Sequence, residues 1–328
     1  MATVTAMAAP VRARRRTAIA VALPWVGWAV VRAAGAERGF PLVPAISFTP
    51  YAAATAVLPL AAAVRARSVP AAALSAGAGA ALAGAVLSRA WGSPAPAEGR
   101  TRRVRVATVS LRKGLVKAGP VLDLVRRYDV DVLSVQELTP RAEAALRAAG
   151  LDDVLPHAHV IPARPGSVKS GSGAVWTRLT VLERGAEPGT FEQPTVRLAV
   201  DGAPDLVLTA VHTAPPATSP SAVRAWTGDL AALPDPEDGV LRVLAGDYNA
   251  TFDHAAFRAV LRRGYVDAAQ AAGGALAWTW RPLRLRIPRL AVDHVLVDPR
   301  ITVADVGLVA VHGSDHRAVV ADLVLPAH

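Results

Sequence analysis

Leu244-Ala245-Gly246-Asp247-Tyr248-Asn249-Ala250 is the stretch around which the rest of the chain is organised. The apolar residues at 240–244 predict a buried strand, and side chains along a strand alternate between its two faces. Asp247 and Asn249 are therefore expected to point the same way at the end of that strand. A carboxylate beside a carboxamide suits an oxyanion, a metal ion or an attacking water. A strand that runs into an Asx turn would give the same pattern without any site.

The composition narrows the chemistry that such a site could perform. With 328 residues, the chain has room for two domains or for one large domain with an appendage. The net charge of +10 and the pI near 11.0 favour anionic partners, meaning phosphate esters, nucleic acid or acidic lipid headgroups. The absence of cysteine excludes disulfides and thiolate metal sites, which leaves oxygen and imidazole ligands for any metal.

The N-terminal part, residues 1–92, is apolar and predicts an all-α membrane region. Three stretches at about 17–34, 40–64 and 69–88 have the length of transmembrane helices, and the second and third contain no charged residue. The arginines before the first stretch followed by an apolar run also resemble the start of a signal peptide. The third stretch, rich in alanine and glycine, could instead be a packed helix of a soluble protein.

Charge placement predicts the orientation of these spans. The arginines that precede the first span, together with Arg65 and Arg67, suit the cytoplasmic side of a membrane. Three spans then put the C-terminal part outside the cytoplasm, in a multi-pass protein of the cell membrane. Arg102, Arg103 and neighbouring arginines just beyond the third span argue mildly for the opposite orientation.

The remainder of the chain reads as a mixed soluble domain. Residues 93–100 have the proline- and alanine-rich composition of a linker. Between residues 101 and 328, short apolar runs typical of strands are interspersed with amphipathic helical patterns. This arrangement predicts an α/β (α+β) domain with a two-layered sheet core flanked by helices.

Polar residues interrupt these predicted strands at corresponding places. Several strand ends carry acids, amides or histidines, and the positions concerned are Gln136, Glu137, His212, Asp247, Asn249, Asp293, Asp315 and His316. A single polar residue of this kind would more often be an edge residue or a hydrogen-bonded core group. Five separate strand ends with such residues predict one convergent site.

The residue types at these positions suit hydrolysis of a phosphate ester. Carboxylates such as Glu137 are the hard oxygen ligands that Mg²⁺ or Mn²⁺ prefers. His316 lies beside acids that can fix its tautomer, so it can act as a base on water. His212 and Asn249 can donate hydrogen bonds to phosphoryl oxygens as charge develops.

These segments, in this order, resemble the motifs of the endonuclease/exonuclease/phosphatase superfamily, whose fold is deoxyribonuclease I-like. The segments are Gln136-Glu137, Val211-His212-Thr213, Gly246-Asp247-Tyr248-Asn249-Ala250, Val292-Asp293-His294-Val295 and Gly313-Ser314-Asp315-His316. The resemblance extends over residues 101–328. Residues 246–258 and Thr279-Trp280 are similar to those of actinobacterial membrane-attached members.

The resemblance implies a four-layered α/β sandwich that cleaves P–O bonds with Mg²⁺, or with Mn²⁺. By analogy, Glu137 would hold the metal, and Asp315 would support the metal or His316. One departure from the family pattern is Ser110, which stands where an asparagine is usual after the first strand. Its shorter side chain predicts weaker contact with Asp247 or with the metal.

The resemblance also implies a division of roles around the scissile bond. His316, polarised by Asp293, would serve as the base, and Asp247 would position or activate the water. Asn249 and His212 would contact phosphate oxygens. Base and orienter could be exchanged between Asp247 and His316, and the sequence leaves that choice open.

Four further residues are candidate substrate contacts: Ser110, Gln136, Trp280 and Arg281. The last two belong to a basic loop that includes Arg284, Arg286 and Arg289. Such a loop could hold an anionic headgroup or stack on a base, but a solvated loop with its aromatic residues in the core would look the same.

Taken together, the sequence predicts a membrane-tethered, divalent-metal-dependent phosphoesterase, a hydrolase of phosphodiester or phosphomonoester bonds by water attack. Its partners would be the lipid bilayer and a phosphate-ester substrate, with no protein partner inferred. One alternative is an extracellular nuclease that acts on DNA or RNA. Another is a non-catalytic module that binds phosphorylated ligands, which the serine at position 110 leaves open.

Overall fold

The computed structural model of the protein describes residues 2–93, 102–283 and 288–327. Residues 94–100 of the expected linker, together with Arg284 and Arg286 of the basic loop, lie outside this part of the chain. The described residues form an N-terminal helical region, residues 2–93, and a sandwich of two β-sheets that begins at Arg102.

Within the described residues, each sheet of the sandwich has six strands. The strand order is β11-β12-β1-β2-β4-β3 in the first sheet and β5-β6-β7-β8-β10-β9 in the second. The first sheet consists of β1 (Arg102–Ser110), β2 (Val132–Leu138), β3 (His157–Ile161), β4 (Ser172–Thr177), β11 (Thr302–Ala310) and β12 (Arg317–Leu325). The second consists of β5 (Val181–Glu187), β6 (Gln193–Leu198), β7 (Leu206–His212), β8 (Leu241–Asp247), β9 (Val266–Asp267) and β10 (Asp293–Val297).

Helices cover the outer faces of both sheets. The helices of the sandwich are α6 (Ala118–Arg127), α7 (Pro140–Ala148), α8 (Leu151–Val154), α9 (Pro220–Ala232), α10 (Ala255–Arg262) and α11 (Ala268–Ala271). Alternation along β1 explains the layering, because Val104 and Val106 belong to the core between the sheets while Ala107 and Val109 belong to the core beneath α6. A third core lies beneath α9 and α10. The four-layered α/β sandwich is therefore confirmed.

The connections between strands bring the carboxyl ends of the parallel strands of each sheet to the same end of the sandwich, which we call the site edge. β1 and β2 are parallel and are joined through α6, and β7 and β8 are parallel and are joined through α9. Parallel strands end on the same side of a sheet, so the residues that follow β1 and β2 lie together, as do those that follow β7 and β8.

A buried polar chain joins the two sheets just below that edge. Thr108 donates to the Oε1 of Gln136 at 2.9 Å, and the Nε2 of Gln136 donates to the hydroxyl of Ser134 at 2.7 Å. Ser134 in turn donates to the carbonyl oxygen of Ala245 in the other sheet at 2.8 Å. Burying a polar group costs free energy unless it has a hydrogen-bond partner. This series of hydrogen bonds therefore favours one relative position of the two sheets.

The helical region contains α1 (Ala2–Ala34), α2 (Leu42–Ile46), α3 (Thr49–Thr55), α4 (Val57–Arg65) and α5 (Val69–Leu87). The stretch 40–64, which we expected as a single span, is therefore divided among three short helices. Pro59 lacks an amide hydrogen and its ring crowds the carbonyl of Thr55, which accounts for the turn at Ala56 between α3 and α4. Only α1 and α5 keep the length of a span.

Two helical segments, Arg12–Ala34 and Val69–Ala90, are long and apolar enough to cross a bilayer. Signal sequences and buried helices of soluble proteins meet the same criterion, so length and hydropathy carry little weight alone. These segments are largely exposed, however. Most of the large apolar side chains that are exposed among the described residues belong to the helical region, including Leu23 at 55%, Val57 at 61% and Val69 at 79%.

The helical region is attached to the sandwich through the loop that precedes α10. The buried carboxylate of Asp253 pairs with Arg32 at 3.1 Å and with Arg89 at 2.5 Å. The neighbouring ring of His254 lies 3.1 Å from the carbonyl oxygen of Val43 and 3.3 Å from the hydroxyl of Ser47. Residues from three parts of the helical region, near the ends of α1 and α5 and in and beside α2, thus contact this one loop.

Candidate active site

Strand ends from both sheets meet at one edge of the sandwich. Pairing of β8 with β10 sets Asp247 directly opposite Asp293, and pairing of β7 with β8 sets His212 beside Asp247. From the other sheet, His316 immediately precedes β12, while Glu137 lies near the end of β2. The convergence expected from the strand ends is therefore present for these five residues.

His316 is held between the two opposed aspartates. Its Nδ1 lies 2.9 and 3.0 Å from the two carboxylate oxygens of Asp293, and because a carboxylate only accepts, Nδ1 carries the hydrogen. Its Nε2 faces the Oδ2 of Asp247 at 3.9 Å. The backbone amide of His316 also donates to the hydroxyl of Ser314, which fixes the loop that carries the ring.

Burial and mutual repulsion shape the charges of this group. Burial raises the pKa of Asp247, and the neighbouring carboxylate of Asp293 raises it further. Burial disfavours the charged form of His316, but the attraction and hydrogen bond of Asp293 outweigh it and raise the pKa of the ring. Asp293 therefore favours the charged form of the His316 ring, while Nε2 lies beyond hydrogen-bond distance of Asp247.

The same three residues have donor atoms close enough to share a cation. One ligand atom each from Asp247, Asp293 and His316 lies within 4.8 Å of the others. Both oxygens of Asp293 already contact His316, so Asp247 is the member with the freer carboxylate. The buried Oδ1 of Asp315 has no hydrogen-bond partner among the described residues, which leaves a further oxygen acceptor beside His316.

Glu137 lies near the end of β2, in the sheet that also contains β12, and its backbone conformation is unusual. It has a φ of 55°, in the left-handed region that residues other than glycine rarely adopt. Its Oε2 accepts from the backbone amide of Lys113 at 2.8 Å, whereas the hydroxyl of Ser110 is 3.5 Å away. The backbone amide, rather than Ser110, therefore holds the carboxylate in place. Its Oε1 forms no hydrogen bond within residues 2–93, 102–283 and 288–327.

His212 is positioned by two residues of the second sheet's edge that the sequence did not single out. Its ring stacks on Phe191 with ring centroids 4.3 Å apart, and its backbone amide donates to the Oε1 of Gln193 at 3.2 Å. Burial lowers the pKa of His212 to about 3, and repulsion from His316 contributes. The ring is therefore neutral at ordinary pH.

Asn249 forms an Asx turn with Asp247, the arrangement that the sequence offered as the alternative to a functional site. Its backbone amide donates to the Oδ1 of Asp247 at 2.9 Å, which is an Asx turn, and its φ is 46°. Its Nδ2 donates to the carbonyl oxygen of Thr213 at 3.0 Å. The turn and the cluster therefore coexist, because the turn is what aims Asp247.

Three expected substrate contacts have distinct positions. Gln136 is fully buried, and both polar ends of its amide bond within the core, so its position does not support substrate contact. Ser110 is also buried, and its carbonyl oxygen accepts from Ser314. Trp280 lies beside the site, since it forms a bridge with His316 and their rings are 6.4 Å apart.

Arg281 belongs to a cationic cluster around Trp278. The guanidinium groups of Arg281, Arg289 and Arg317 lie 5.5, 5.2 and 3.7 Å from the centre of the Trp278 ring. Arg317 directly follows His316 in the chain, so the cluster adjoins the candidate site. The sequence indicated Arg281 and its loop, but it gave no signal for Arg317.

Thr279 is a further residue that sequence reasoning left without a role. Its hydroxyl accepts from the backbone amides of Val292 at 2.9 Å and of Asp293 at 3.0 Å. It therefore anchors the start of β10 and with it the partner of His316. The similarity of Thr279-Trp280 to family members was the feature of the sequence that could have pointed to this role.

Comparisons with known proteins agree with this fold. A family model described as the Endonuclease/Exonuclease/phosphatase family matches residues 109–316. An endonuclease/exonuclease/phosphatase structure from Beutenbergia cavernae DSM 12333 superposes with a TM-score of 0.50 at 20% identity, covering 68% of this chain and 72% of that one.

Two further solved structures have the same fold. D. rerio TDP2 in complex with a single-strand DNA product gives a TM-score of 0.53 at 15% identity and covers 67% of this chain and 98% of its own. A functionally unknown conserved protein from Enterococcus faecalis V583 gives 0.53 at 14% identity, covering 68% and 100%. No curated protein matches the sequence.

Proposed function

The chain belongs to the endonuclease/exonuclease/phosphatase family, and from that premise we propose that it is a membrane-anchored, divalent-metal-dependent phosphoesterase that works by water attack. The observation that carries the proposal is the group formed by Asp247, Asp293 and His316 at the shared edge of the two sheets. It combines a buried acid, a histidine with a fixed hydrogen, and room for a cation.

The donor set fits a hard divalent cation. Glu137, Asp247 and Asp315 offer carboxylate oxygens at the same edge, and the absence of cysteine leaves no soft ligand. We assign Glu137 as the main metal ligand, supported by Asp315, and Mg²⁺ or Mn²⁺ as the ion. When bound, such an ion would polarise the P–O bond and offset the charge of the phosphoryl group.

The protein's own residues would handle the proton and the water. Asp293 fixes the hydrogen of His316 on Nδ1, so Nε2 is the atom that exchanges a proton with water or with the leaving oxygen. Asp247 faces that nitrogen at 3.9 Å, so a water beside the two groups can accept from the nitrogen and donate to the carboxylate. His316 and Asp247 thus act as a pair on the attacking water.

Two further residues would contact the phosphate group. The neutral ring of His212 can donate one hydrogen bond without adding charge, and its Nδ1 is buried without a partner among the described residues. Asn249 is aimed by its turn beside Asp247. Donors placed where negative charge develops lower the barrier of phosphoryl transfer.

Membrane anchoring is supported by the helical region's exposed surface and by its charges. The exposed apolar side chains of α1, α4 and α5 would be costly in water and are suited to lipid. Arg14 and Arg65 line one cavity at the end of the bundle remote from Arg32 and Arg89, which contact the sandwich. Under the positive-inside rule the catalytic domain would lie outside the cytoplasm.

The test uses the full chain in detergent with bis(4-nitrophenyl) phosphate, a soluble diester. We expect hydrolysis with Mg²⁺ or Mn²⁺, its loss with EDTA, and its loss in Asp247→Asn. Asp201→Asn is the matched control, because Asp201 is exposed in a surface pair with Arg102. Hydrolysis that persists in EDTA would contradict the metal dependence.

Parallel assays with plasmid DNA and with phospholipid vesicles separate the possible substrates. DNA cleavage without phospholipid hydrolysis would favour the nuclease alternative. Binding of inorganic phosphate with no hydrolysis of any substrate, unchanged in His316→Gln, would instead favour a non-catalytic phosphate-binding module. A reporter fused to the C-terminus that is active only in the cytoplasm would overturn the proposed orientation.

A further inference from the structure

A groove of about 340 Å³ opens on the surface of the helical region between α1 and α3. Its wall is almost entirely apolar and is formed chiefly by Pro24, Trp25, Trp28, Phe48, Tyr51 and Ala52. Nothing among the described residues fills it. The concentration of three aromatic residue types in one groove distinguishes it from the alanine-lined helix contacts elsewhere in the bundle.

The indole nitrogens of Trp25 and Trp28 both donate hydrogen bonds within the helical region. Trp25 donates through Nε1 to the carbonyl oxygen of Ala52 at 3.1 Å and to Thr55 at 3.2 Å. Trp28 donates through Nε1 to Thr49 at 3.0 Å. Because these N–H groups already have acceptors within the helical region, the two indoles present mainly ring carbon atoms to any molecule in the groove. An apolar occupant therefore fits and a polar one does not.

Tyr51 connects this groove to the site edge. It also lines a second cavity of about 250 Å³ between the helical region and the sandwich, together with Trp278 and Leu290. Its hydroxyl accepts from the backbone amide of Arg289 at 2.7 Å. Leu290 forms a bridge with Trp280, and Trp280 forms one with His316. Consecutive contacts thus lead from the groove, through Tyr51 and the segment 289–290, to Trp280 and His316.

Positive charge lies between the groove and His316. Arg281 and Arg317 stack on Trp278, and neither forms an ion pair within the part of the chain that is described. The Nε of Arg317 is buried and has no hydrogen-bond partner there. An anionic group placed over these arginines would have an apolar groove on one side and the proposed catalytic pair on the other.

The groove lies at the height along the helical bundle where the surface of a membrane is expected. Trp25, Trp28 and Tyr51 lie in the half of the bundle next to the sandwich, and tryptophan and tyrosine concentrate where lipid meets water. The bundle end that carries Arg14 and Arg65 is the opposite one. A lipid of the leaflet nearest the catalytic domain could therefore reach the groove without leaving the membrane.

From these observations we propose that the groove between α1 and α3 is a subsite for a hydrocarbon chain, and that the substrate is a membrane phospholipid with its phosphate at His316. The inference rests on the proposed phosphoesterase function and names its substrate class. One acyl chain lies along Trp25, Trp28 and Phe48, while Arg281 and Arg317 attract the anionic headgroup. The helical region then acts as part of the substrate site as well as an anchor.

Binding measurements test the subsite without any catalysis. The full chain in detergent, with EDTA, is titrated with dioctanoylphosphatidylglycerol. Thr55→Trp and Ala52→Leu fill the groove from α3, while Leu74→Trp introduces a tryptophan at an exposed position of α5, outside the groove. Each buried methylene contributes roughly a fourfold gain in affinity, so both groove variants should bind at least about tenfold more weakly. The Leu74 variant should bind as wild type does.

Equal lipid affinity in wild type and both groove variants would overturn the proposal. A change in oligomeric state in the groove variants, with lipid affinity unchanged, would also overturn it and would assign the groove to a second copy of the chain. Glycerophosphoglycerol, which has the headgroup without chains, should not distinguish the variants. If it does, the groove variants have altered the headgroup site and the chain assignment fails.

Turnover separates this proposal from the proposed function. In the groove variants, the ratio of phospholipid hydrolysis to bis(4-nitrophenyl) phosphate hydrolysis should fall about tenfold, matching the loss of chain binding. Absence of any hydrolysis by wild type would contradict the phosphoesterase function, while the binding result would still decide the subsite. An unchanged ratio would contradict the subsite alone.

Discussion

Asp247 and Asp293 occupy paired positions on the antiparallel strands β8 and β10, so two buried carboxylates face the same space. Close like charges in a buried site are costly unless a cation offsets them. His316 supplies one positive charge, between the two acids. This charge balance leads to specific expectations for variants of the site.

Replacing His316 with glutamine should reduce hydrolysis of a soluble diester at least about 100-fold, because acid–base catalysis by a positioned side chain contributes on that scale. Glutamine is polar and of similar size, so the fold should persist. The exposed His312 gives the control, and His312→Gln should retain full activity. Activity of His316→Gln within a few-fold of wild type would remove His316 from the mechanism.

Glu137 and Ser110 should differ sharply in their effect on metal affinity. Glu137→Gln removes a proposed ligand, and we expect Mn²⁺ binding measured by calorimetry to weaken at least about tenfold. Ser110→Ala removes only a contact at 3.5 Å, and the amide of Lys113 still holds the carboxylate, so its effect should stay within about threefold. A larger effect of Ser110→Ala than of Glu137→Gln would invert these roles.

Asp253→Asn should loosen the attachment of the helical region. The change leaves the buried Arg89 and the partly buried Arg32 without their carboxylate, and breaking a buried ion pair costs about 3–5 kcal/mol. The melting temperature of the full chain in detergent should fall by several degrees. Asp201→Asn breaks an exposed pair and should change stability by less than about 1 kcal/mol. Equal melting temperatures for the two variants would exclude Asp253 as the main attachment.

Acidification should also weaken this contact through His254. Burial lowers the pKa of His254 to about 4, from 6.5 in the unfolded chain. The unfolded state therefore takes up the proton first, and the contribution of His254 is complete above pH 6.5 and is lost as the pH falls towards 4. The shift corresponds to at most about 3 kcal/mol.

His254→Gln should flatten the dependence of melting temperature on pH between 6.5 and 4. The flattening should be partial, because His212 also has a lowered pKa and contributes with the same sign. His312→Gln, at an exposed site, should leave the slope as in wild type. A slope that is identical in His254→Gln and wild type would show that His254 does not titrate with folding.

Much of the sandwich and its edge could be predicted from local patterns. Alternation of apolar residues marked β1, short apolar runs marked β2, β7 and β8, and the polar residues that follow these strands indicated a shared site. The membrane-length helices were predicted less well, because Pro50 and Pro59 divide the second apolar stretch while its hydropathy remains that of a span. Hydropathy averages over a window and does not register the loss of a single backbone hydrogen bond.

The sequence by itself determined the strand ends and the residue types of the site, because strand periodicity and side-chain chemistry are local properties. Only the tertiary structure decided that Phe191 stacks on His212, that Asp253 joins Arg32 and Arg89, and that Tyr51 links an apolar groove to the loop beside His316. These contacts join residues far apart in the chain. They depend on the packing of whole layers, which leaves no periodic signal in the sequence.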